Sequence, residues 1–173
     1  ELQAKETAAL INGATASLAY AVLAAHDGRA LVSNASIALC LSLEALRAET
    51  ACFEEHVMLA RPHHGQRRVA RSIRRILHDT QRCTEAARQL QPWNAAAGNG
   101  PATAGRQGTA VPPRIQEAYS LRCAPQVHGP VLDALDYVDR ILTIEMNSAT
   151  DNPLIFREGN RYSATSVGHF HGQ

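Results

Sequence analysis

Gln126 to Pro153 reads QVHGPVLDALDYVDRILTIEMNSATDNP, and its spacing decides the fold class. Val131, Leu135, Val138 and Leu142 recur in steps of four, three and four, which puts them on one face of an α-helix. The helix is predicted from about Gln126 to Asn147 and to end before Asp151-Asn152-Pro153, because a proline ring pushes the residue before it out of helical backbone. The same alternation runs through Leu39, Leu43, Leu46, Thr50, Phe53 and Val57, predicting a helix that reaches Ala60 and is broken by Pro62 and Gly65. Val69, Ile73, Ile76, Cys83, Ala87 and Leu90 predict another, with basic residues at its remaining positions. Ala14 to Ala25 gives a shorter helix. Ile155-Phe156 and Tyr162 flank Glu158-Gly159-Asn160 as a small hairpin. The expected class is all-α, a bundle of long helices forming one partial domain over residues 1–173. Gln91 to Pro113, rich in Ala, Gly, Asn, Thr and Pro, is expected to be a flexible loop inside it.

Composition agrees with that class and narrows the functions. Aromatic residues are only 5% while alanine is abundant, which favours close helix packing over a sheet sandwich. A net charge of +1 supplies no global field to gather nucleic acid or an acidic membrane. Arg67, Arg68, Arg71, Arg74 and Arg75 form a basic run, but no aromatic residue interleaves to stack on bases, so a solvated or subunit-facing surface is expected. Cys40, Cys52, Cys83 and Cys123 form no CxxC pair, which fits a reducing cytoplasm. Cys123 is expected to be structural rather than a reactive thiol. No apolar run is read as reaching the roughly twenty residues that span a bilayer; the best stretch meets His26 and Asp27. His63, His64, His169 and His171 lack a Cys or carboxylate partner at ligand spacing, so no metal is expected. Glu1 is no initiator Met and the last residues, His169 to Gln173, stop without a helix end or a polar tail, so an internal piece of a longer protein is expected.

The densest cluster of chemistry is QEAYSLR at Gln116 to Arg122. Gln116 and Tyr119 are three apart, as are Tyr119 and Arg122, so on a helix or tight turn each pair shares a face. A guanidinium offers a planar fork to a carboxylate, a phenol can relay a proton, and an amide both donates and accepts. Those groups suit an amino-acid site. The same residue types also anchor helix ends on ordinary surfaces, and spacing alone leaves both readings open.

Ile115 to Gly129 (IQEAYSLRCAPQVHG) resembles the VQDAYSLRC-PQVHG segment of the aromatic amino-acid ammonia-lyases, histidine ammonia-lyases in particular. Met146 to Phe156 (MNSATDNPLIF) resembles their second signature block, Lys5 to Gly13 (KETAALING) their KEGLALLNG, and Arg61 to Gln66 (RPHHGQ) their RPHPGQ. His169 to Gln173 resembles the end of SGGNFHGQ. The five blocks stand in the family's order.

The resemblance implies a helical fold of the ammonia-lyase type, incomplete in this chain, and a homotetramer whose active sites draw on several subunits. It implies elimination of ammonia from L-histidine to give urocanate; a phenylalanine or tyrosine ammonia-lyase, or an aminomutase that re-adds the ammonia, is the alternative. It further implies a methylidene-imidazolone (MIO) electrophile made from an Ala-Ser-Gly triad. No such triad occurs in the 173 residues, and in the family it precedes the LNG block. That gap motivates a different reading, a catalytically inactive helical assembly module or a truncation product.

Carried over residue by residue, Arg122 is expected to hold the substrate carboxylate through a bidentate contact, with Asn152 helping at the same end. Tyr119 is expected beside the electrophile as hydrogen-bond donor or proton relay. Asn12 and Gln116 would hydrogen-bond the cofactor and the amino group, and Phe170 would pack near the electrophile. Four positions depart from the pattern. Val167 and His169 stand where the family has Gly and Asn, Ala14 where it commonly has Thr, and His64 where it has Pro.

Overall fold

The computed structural model describes residues 1–84, 87 and 116–172. The expected loop at 91–113, and Leu90 of the second periodic series, lie outside the described residues. Among those described, the elements are α1 (Glu6–Ile11), α2 (Thr15–Leu46), a 3-10 turn (Ala51–Phe53), α3 (Glu55–Leu59), α4 (His64–Ile76), α5 (Tyr119–Arg122), α6 (Ala124–Met146), β1 (Leu154–Glu158) and β2 (Arg161–Thr165). The helical class is as expected, and so is the hairpin. The chain divides into two compact units, one of Glu1–Arg29 with Ala134–Gln173, the other of Ala30–Asp133.

Two expectations about α2 are corrected. The Ala14–Ala25 and Leu39 series belong to one 32-residue helix, which stops at Leu46 rather than reaching Ala60. The stop is a Schellman turn: Arg47 takes φ 50, its N–H donates to the Glu44 carbonyl at 3.1 Å, and Ala48 N–H donates to the Leu43 carbonyl at 2.8 Å. Leu43 and Ala48, both fully buried, close the turn with an apolar contact. The second correction concerns length: α2 is long and apolar enough to cross a membrane by those criteria alone. Its middle argues for packing on protein instead. Arg29 donates through Nε to Asp139 at 2.8 Å and through Nη2 to Asp136 at 2.7 Å, so one guanidinium serves two carboxylates a turn apart on α6. Those carboxylates hold the Arg29 guanidinium charged more firmly still, against a lesser opposing effect of burial.

In the first unit β1 and β2 pair antiparallel from Leu154↔Thr165 to Glu158↔Arg161. The two-residue loop places Gly159 at φ 62, a backbone setting that favours glycine. In the second unit the core holds Leu39, Cys40, Leu43, Ala48, Phe53, Val69, Ile73, Leu77, Cys83, Leu121 and Ala124. Most of the apolar residues expected at core positions there are buried; Leu46, Val57 and Ile76, at or beyond the points where α2 and α4 end or the chain turns, are instead exposed, and so is Val131 inside α6. Two of the basic residues of α4 turn inward. Arg67 Nη2 meets Glu55 Oε1 at 2.9 Å, while Arg74 pairs with the other Glu55 oxygen and donates to the Phe53 carbonyl at 2.6 Å.

α4 and α6 meet through two glycines. A β-carbon at Gly65 would lie 2.1 Å from the Gly129 carbonyl oxygen, and one at Gly129 would lie 2.4 Å from the Gln66 nitrogen. Gly65 N–H, an orphan donor at the start of α4, is satisfied by Asp133 Oδ1 at 2.8 Å.

Candidate functional site

In the first unit three of the sequence blocks converge. Gly13, at φ 76, lies so close to Thr150 that a β-carbon would stand 2.7 Å from its Oγ1, and a β-carbon on Gly172 would stand 2.6 Å from that of Ala14. Asn12 caps the C-terminus of α1, with extended backbone and its N–H on the Ala8 carbonyl at 2.8 Å. Its half-buried side chain has no hydrogen-bond partner among the described residues. The same unit holds a small cavity of about 150 Å³, lined by Ala14, Thr15, Leu18, Glu145, Met146, Ser148 and Thr150 and not by Asn12.

Asn152 is held on both sides. Its Oδ1 accepts the Val167 N–H at 2.7 Å and the Ser166 hydroxyl at 3.2 Å. The backbone donor fixes which end of the carboxamide is oxygen, so Nδ2 is the end left to donate elsewhere. Because the contact from residue 167 is through its backbone amide, valine serves there as glycine would. The residues flanking Asn152 are tied by Lys5, whose Nζ lies 2.7 Å from Asp151 Oδ2 and 2.5 Å from the Pro153 carbonyl. Lys5 itself sits at φ 75, a left-handed setting that costs a residue with a β-carbon about 1 kcal/mol or more. Phe170 is 40% exposed and packs on His171, ring centroids 4.6 Å apart.

In the second unit α5 is a single turn. Leu121 and Arg122 N–H both donate to the Ala118 carbonyl at 3.0 Å, and buried Leu121 anchors the turn to the core. Tyr119 and Arg122 then share a face as their spacing foretold: the guanidinium carbon stands 4.7 Å from the centre of the phenol ring. Tyr119 is 72% exposed, while Arg122 is half-buried, its Nε shut off from solvent without a hydrogen-bond partner. Arg122 enters no ion pair among the described residues. Gln116 is exposed and precedes the helical turn, so it shares no helix face with Tyr119. Sequence reasoning missed Glu117, a buried carboxylate whose Oε1 accepts the Glu49 N–H at 2.9 Å and so ties the chain just before α5 to the segment after α2. Nothing in the local sequence distinguishes it from a surface acid. Burial pushes the Cys52 thiol up to about 11, with Glu49 and Glu117 adding to the rise and Arg122 opposing it.

Asn12, Asn152 and Phe170 therefore belong to the first unit, and Gln116, Tyr119 and Arg122 to the second. The structure joins the Asn12 and Asn152 blocks through Gly13 and Thr150, and it joins Tyr119 to Arg122. In the first unit the Asn12 carboxamide and the Asn152 Nδ2 have no hydrogen-bond partner among the described residues. In the second, the Tyr119 phenol lies beside the Arg122 guanidinium, and such a pair can hold a carboxylate and pass a proton.

Comparison with known proteins gives a consistent picture. Residues 1–173 match the family model Lyase_aromatic, aromatic amino acid lyase. The chain is 42% identical over 172 residues to histidine ammonia-lyase 2 of Fusobacterium nucleatum, covering 99% of this chain and 29% of that protein. Among solved structures it resembles the phenylalanine aminomutase of Pantoea agglomerans, with a TM-score of 0.77 and 34% identity over 100% of this chain and 32% of that one. It also resembles histidine ammonia-lyase from Trypanosoma cruzi, with a TM-score of 0.71 and 36% identity over 99% of this chain and 26% of that one. The chain thus spans less than a third of the length of these relatives.

Proposed function

The chain belongs to the aromatic amino acid lyase family, and from that premise we propose that the protein containing it eliminates ammonia from L-histidine to give urocanate. This chain supplies substrate-binding residues. The observation that carries the reading is Arg122, a half-buried cation stacked on the Tyr119 phenol and committed to no carboxylate among the described residues. An unpaired guanidinium at a partly buried position favours an anionic guest, and the acid group of an amino acid matches its fork.

The family depends on MIO, an electrophile that makes the substrate amino group a leaving group. The donors of this chain suit such a group: Asn12 has an uncommitted carboxamide and Tyr119 an exposed phenol. In this reading Arg122 grips the carboxylate with its two terminal nitrogens, and Asn152 adds its Nδ2. Tyr119 donates a hydrogen bond or relays a proton beside the reacting carbon. Asn12 and Gln116 would hydrogen-bond the cofactor and the amino group, and Phe170 would pack near the electrophile. We further propose a cytoplasmic homotetramer; the large apolar residues left exposed on α2 and α6, among them Leu23, Leu31, Leu41, Val127 and Val131, fit burial against further protein and support the association only.

The test is an ultraviolet assay of the full-length protein with L-histidine, L-phenylalanine and L-tyrosine supplied separately. Urocanate should form from histidine, and Arg122→Met should raise KM about a hundredfold, the loss of two charge-assisted hydrogen bonds. Normal turnover of Arg122→Met with unchanged KM would refute the assignment. The likeness to a phenylalanine aminomutase favours a second reading, action on phenylalanine or tyrosine with ammonia returned to the neighbouring carbon. Cinnamate or a β-amino acid as the main product would establish that one instead.

A further inference from the structure

If Asn152 binds the substrate carboxylate, the reading on which this inference rests, its carboxamide must be held in aim. Its side-chain oxygen is taken by Val167 and Ser166, which fixes the carboxamide from the side of the chain that comes after the hairpin. Its two neighbours in sequence are fixed by one ammonium. Lys5 Nζ bonds the Asp151 carboxylate and the Pro153 carbonyl, spanning 148 residues of chain to reach the latter. Two of its three donor hydrogens are therefore spent on the residues either side of Asn152 and none on Asn152 itself. The lysine is partly sheltered, with 35% of its side chain exposed against 19% for Asp151. It also holds a left-handed backbone that side chains rarely adopt, and residues kept in such settings are ones the surrounding structure over-determines.

We propose that Lys5 is a positioning residue: by clamping Asp151 and Pro153 it sets the segment from which Asn152 presents its Nδ2 to an anionic carboxylate. Lys5 does not touch the ligand. Without the clamp the Asp151–Pro153 segment loosens, the Asn152–Val167 hydrogen bond opens more often, and the amide donor spends less time correctly aimed.

The test uses the full-length protein and two unreactive probes, imidazole-4-propionate, which carries an acid group, and 4-ethylimidazole, which does not. Calorimetry compares Lys5→Met, Asp151→Asn, Asn152→Ala and the double variant Lys5→Met/Asn152→Ala. Lys5→Met and Asp151→Asn should each weaken propionate binding roughly tenfold relative to ethylimidazole. In the Asn152→Ala background Lys5→Met should add nothing, because both changes remove the same contact. Amide exchange at Val167 should quicken roughly tenfold in both single variants, while amides of the β1–β2 ladder stay as they were.

A simple field effect makes a different demand. Removing a cation would weaken an anionic guest but removing Asp151 would strengthen it, so opposite signs from the two variants overturn the proposal. It is also overturned, with the carboxylate role of Asn152 left standing, if Asn152→Ala loses propionate binding while Lys5→Met and Asp151→Asn do not. If Asn152→Ala keeps full propionate binding, the role of Asn152 itself fails. Should Lys5→Met not fold, Asp151→Asn carries the test, since it breaks the clamp with the lysine in place.

Discussion

Replacing Gly65 by alanine perturbs the second unit at its tightest point. The new β-carbon would lie 2.1 Å from the Gly129 carbonyl oxygen, 2.8 Å from its carbon and 2.9 Å from Asp133 Cγ. Two of these three atoms are backbone, so no rotamer change relieves the overlap; α4 must draw back from α6 by about 1.3 Å to reach an ordinary contact. That shift strains the hydrogen bond from Gly65 N–H to Asp133, worth about 1.5–3 kcal/mol as a bond to a charged group. Overpacking adds about 1–3 kcal/mol. The sum, about 2.5–6 kcal/mol, is a large share of the roughly 5–15 kcal/mol that hold an ordinary domain. The expected melting point falls by about 10 °C, and the urea midpoint falls with little change in slope. Two other glycines calibrate the measurement. Gly168→Ala meets nothing within 4 Å on ordinary backbone and should stay within about 0.5 kcal/mol. Gly159→Ala is spatially free but sits at φ 62 and should cost about 1 kcal/mol. The reasoning is refuted if Gly65→Ala destabilises no more than Gly159→Ala.

Among the described residues Gly28, inside α2, faces only the Leu135 methyls at 3.4 and 3.6 Å, so Gly28→Ala should stabilise by about 0.5–1 kcal/mol through helix propensity; a loss of stability in urea titration would count against the contact. Burial raises the Cys40 and Cys52 thiols to about 11, which leaves roughly one in a thousand as thiolate at pH 8. Iodoacetamide should label both at least about a hundredfold more slowly in the folded protein than in urea, as read by mass spectrometry. The same shift makes stability decline as pH rises from the ordinary thiol value toward about 11, since the unfolded chain releases those protons first. Hydrogen bonds from Arg67 and then Arg74 hold the Glu55 carboxyl below its ordinary value. Its stabilisation is complete above that ordinary value and disappears as pH falls through the lowered one, so Glu55→Gln should flatten the acid limb of a stability–pH curve below the ordinary carboxyl value.

The helices were legible where apolar spacing and backbone continuity coincide, as in α6, and illegible where they part. Leu46, Thr50, Phe53 and Val57 keep helical spacing across a chain that leaves the helix at Arg47, because the turn and the short helix after it conserve the stagger while changing direction. An arginine in the left-handed turn position, where glycine is usual, removed the signal that would have marked the stop. Conversely, His26-Asp27 looked like an end within α2, yet the helix runs on. The Arg29 fork that settles this middle stretch on Asp136 and Asp139 joins residues 107 and 110 apart in sequence. The same distinction governs the site. Tyr119 and Arg122 could be paired from a three-residue step, whereas the Lys5 clamp on Asp151 and Pro153, and the buried role of Glu117, are long-range consequences of folding.

The structure also separates two kinds of residue within the sequence blocks. Gly13, Gly65, Gly129 and Gly172 each stand where a β-carbon would collide with another block, so their identity is explained by packing. In the first unit this joins the blocks containing Asn12, Asn152 and His171; in the second it joins RPHHGQ to QVHG. The polar residues beside them behave oppositely. Asn12 leaves its carboxamide unengaged, Asn152 spends its oxygen and keeps its nitrogen, and Arg122 forms no ion pair among the described residues. A fold that merely needed polar surface would leave such groups in water. Here Arg122 and the two asparagines are half-buried, where an unmet donor costs about 1–3 kcal/mol. Within each unit, blocks locked together by glycines carry partly sheltered donors with no partner among the described residues, which supports the proposal that these donors serve an external acid group.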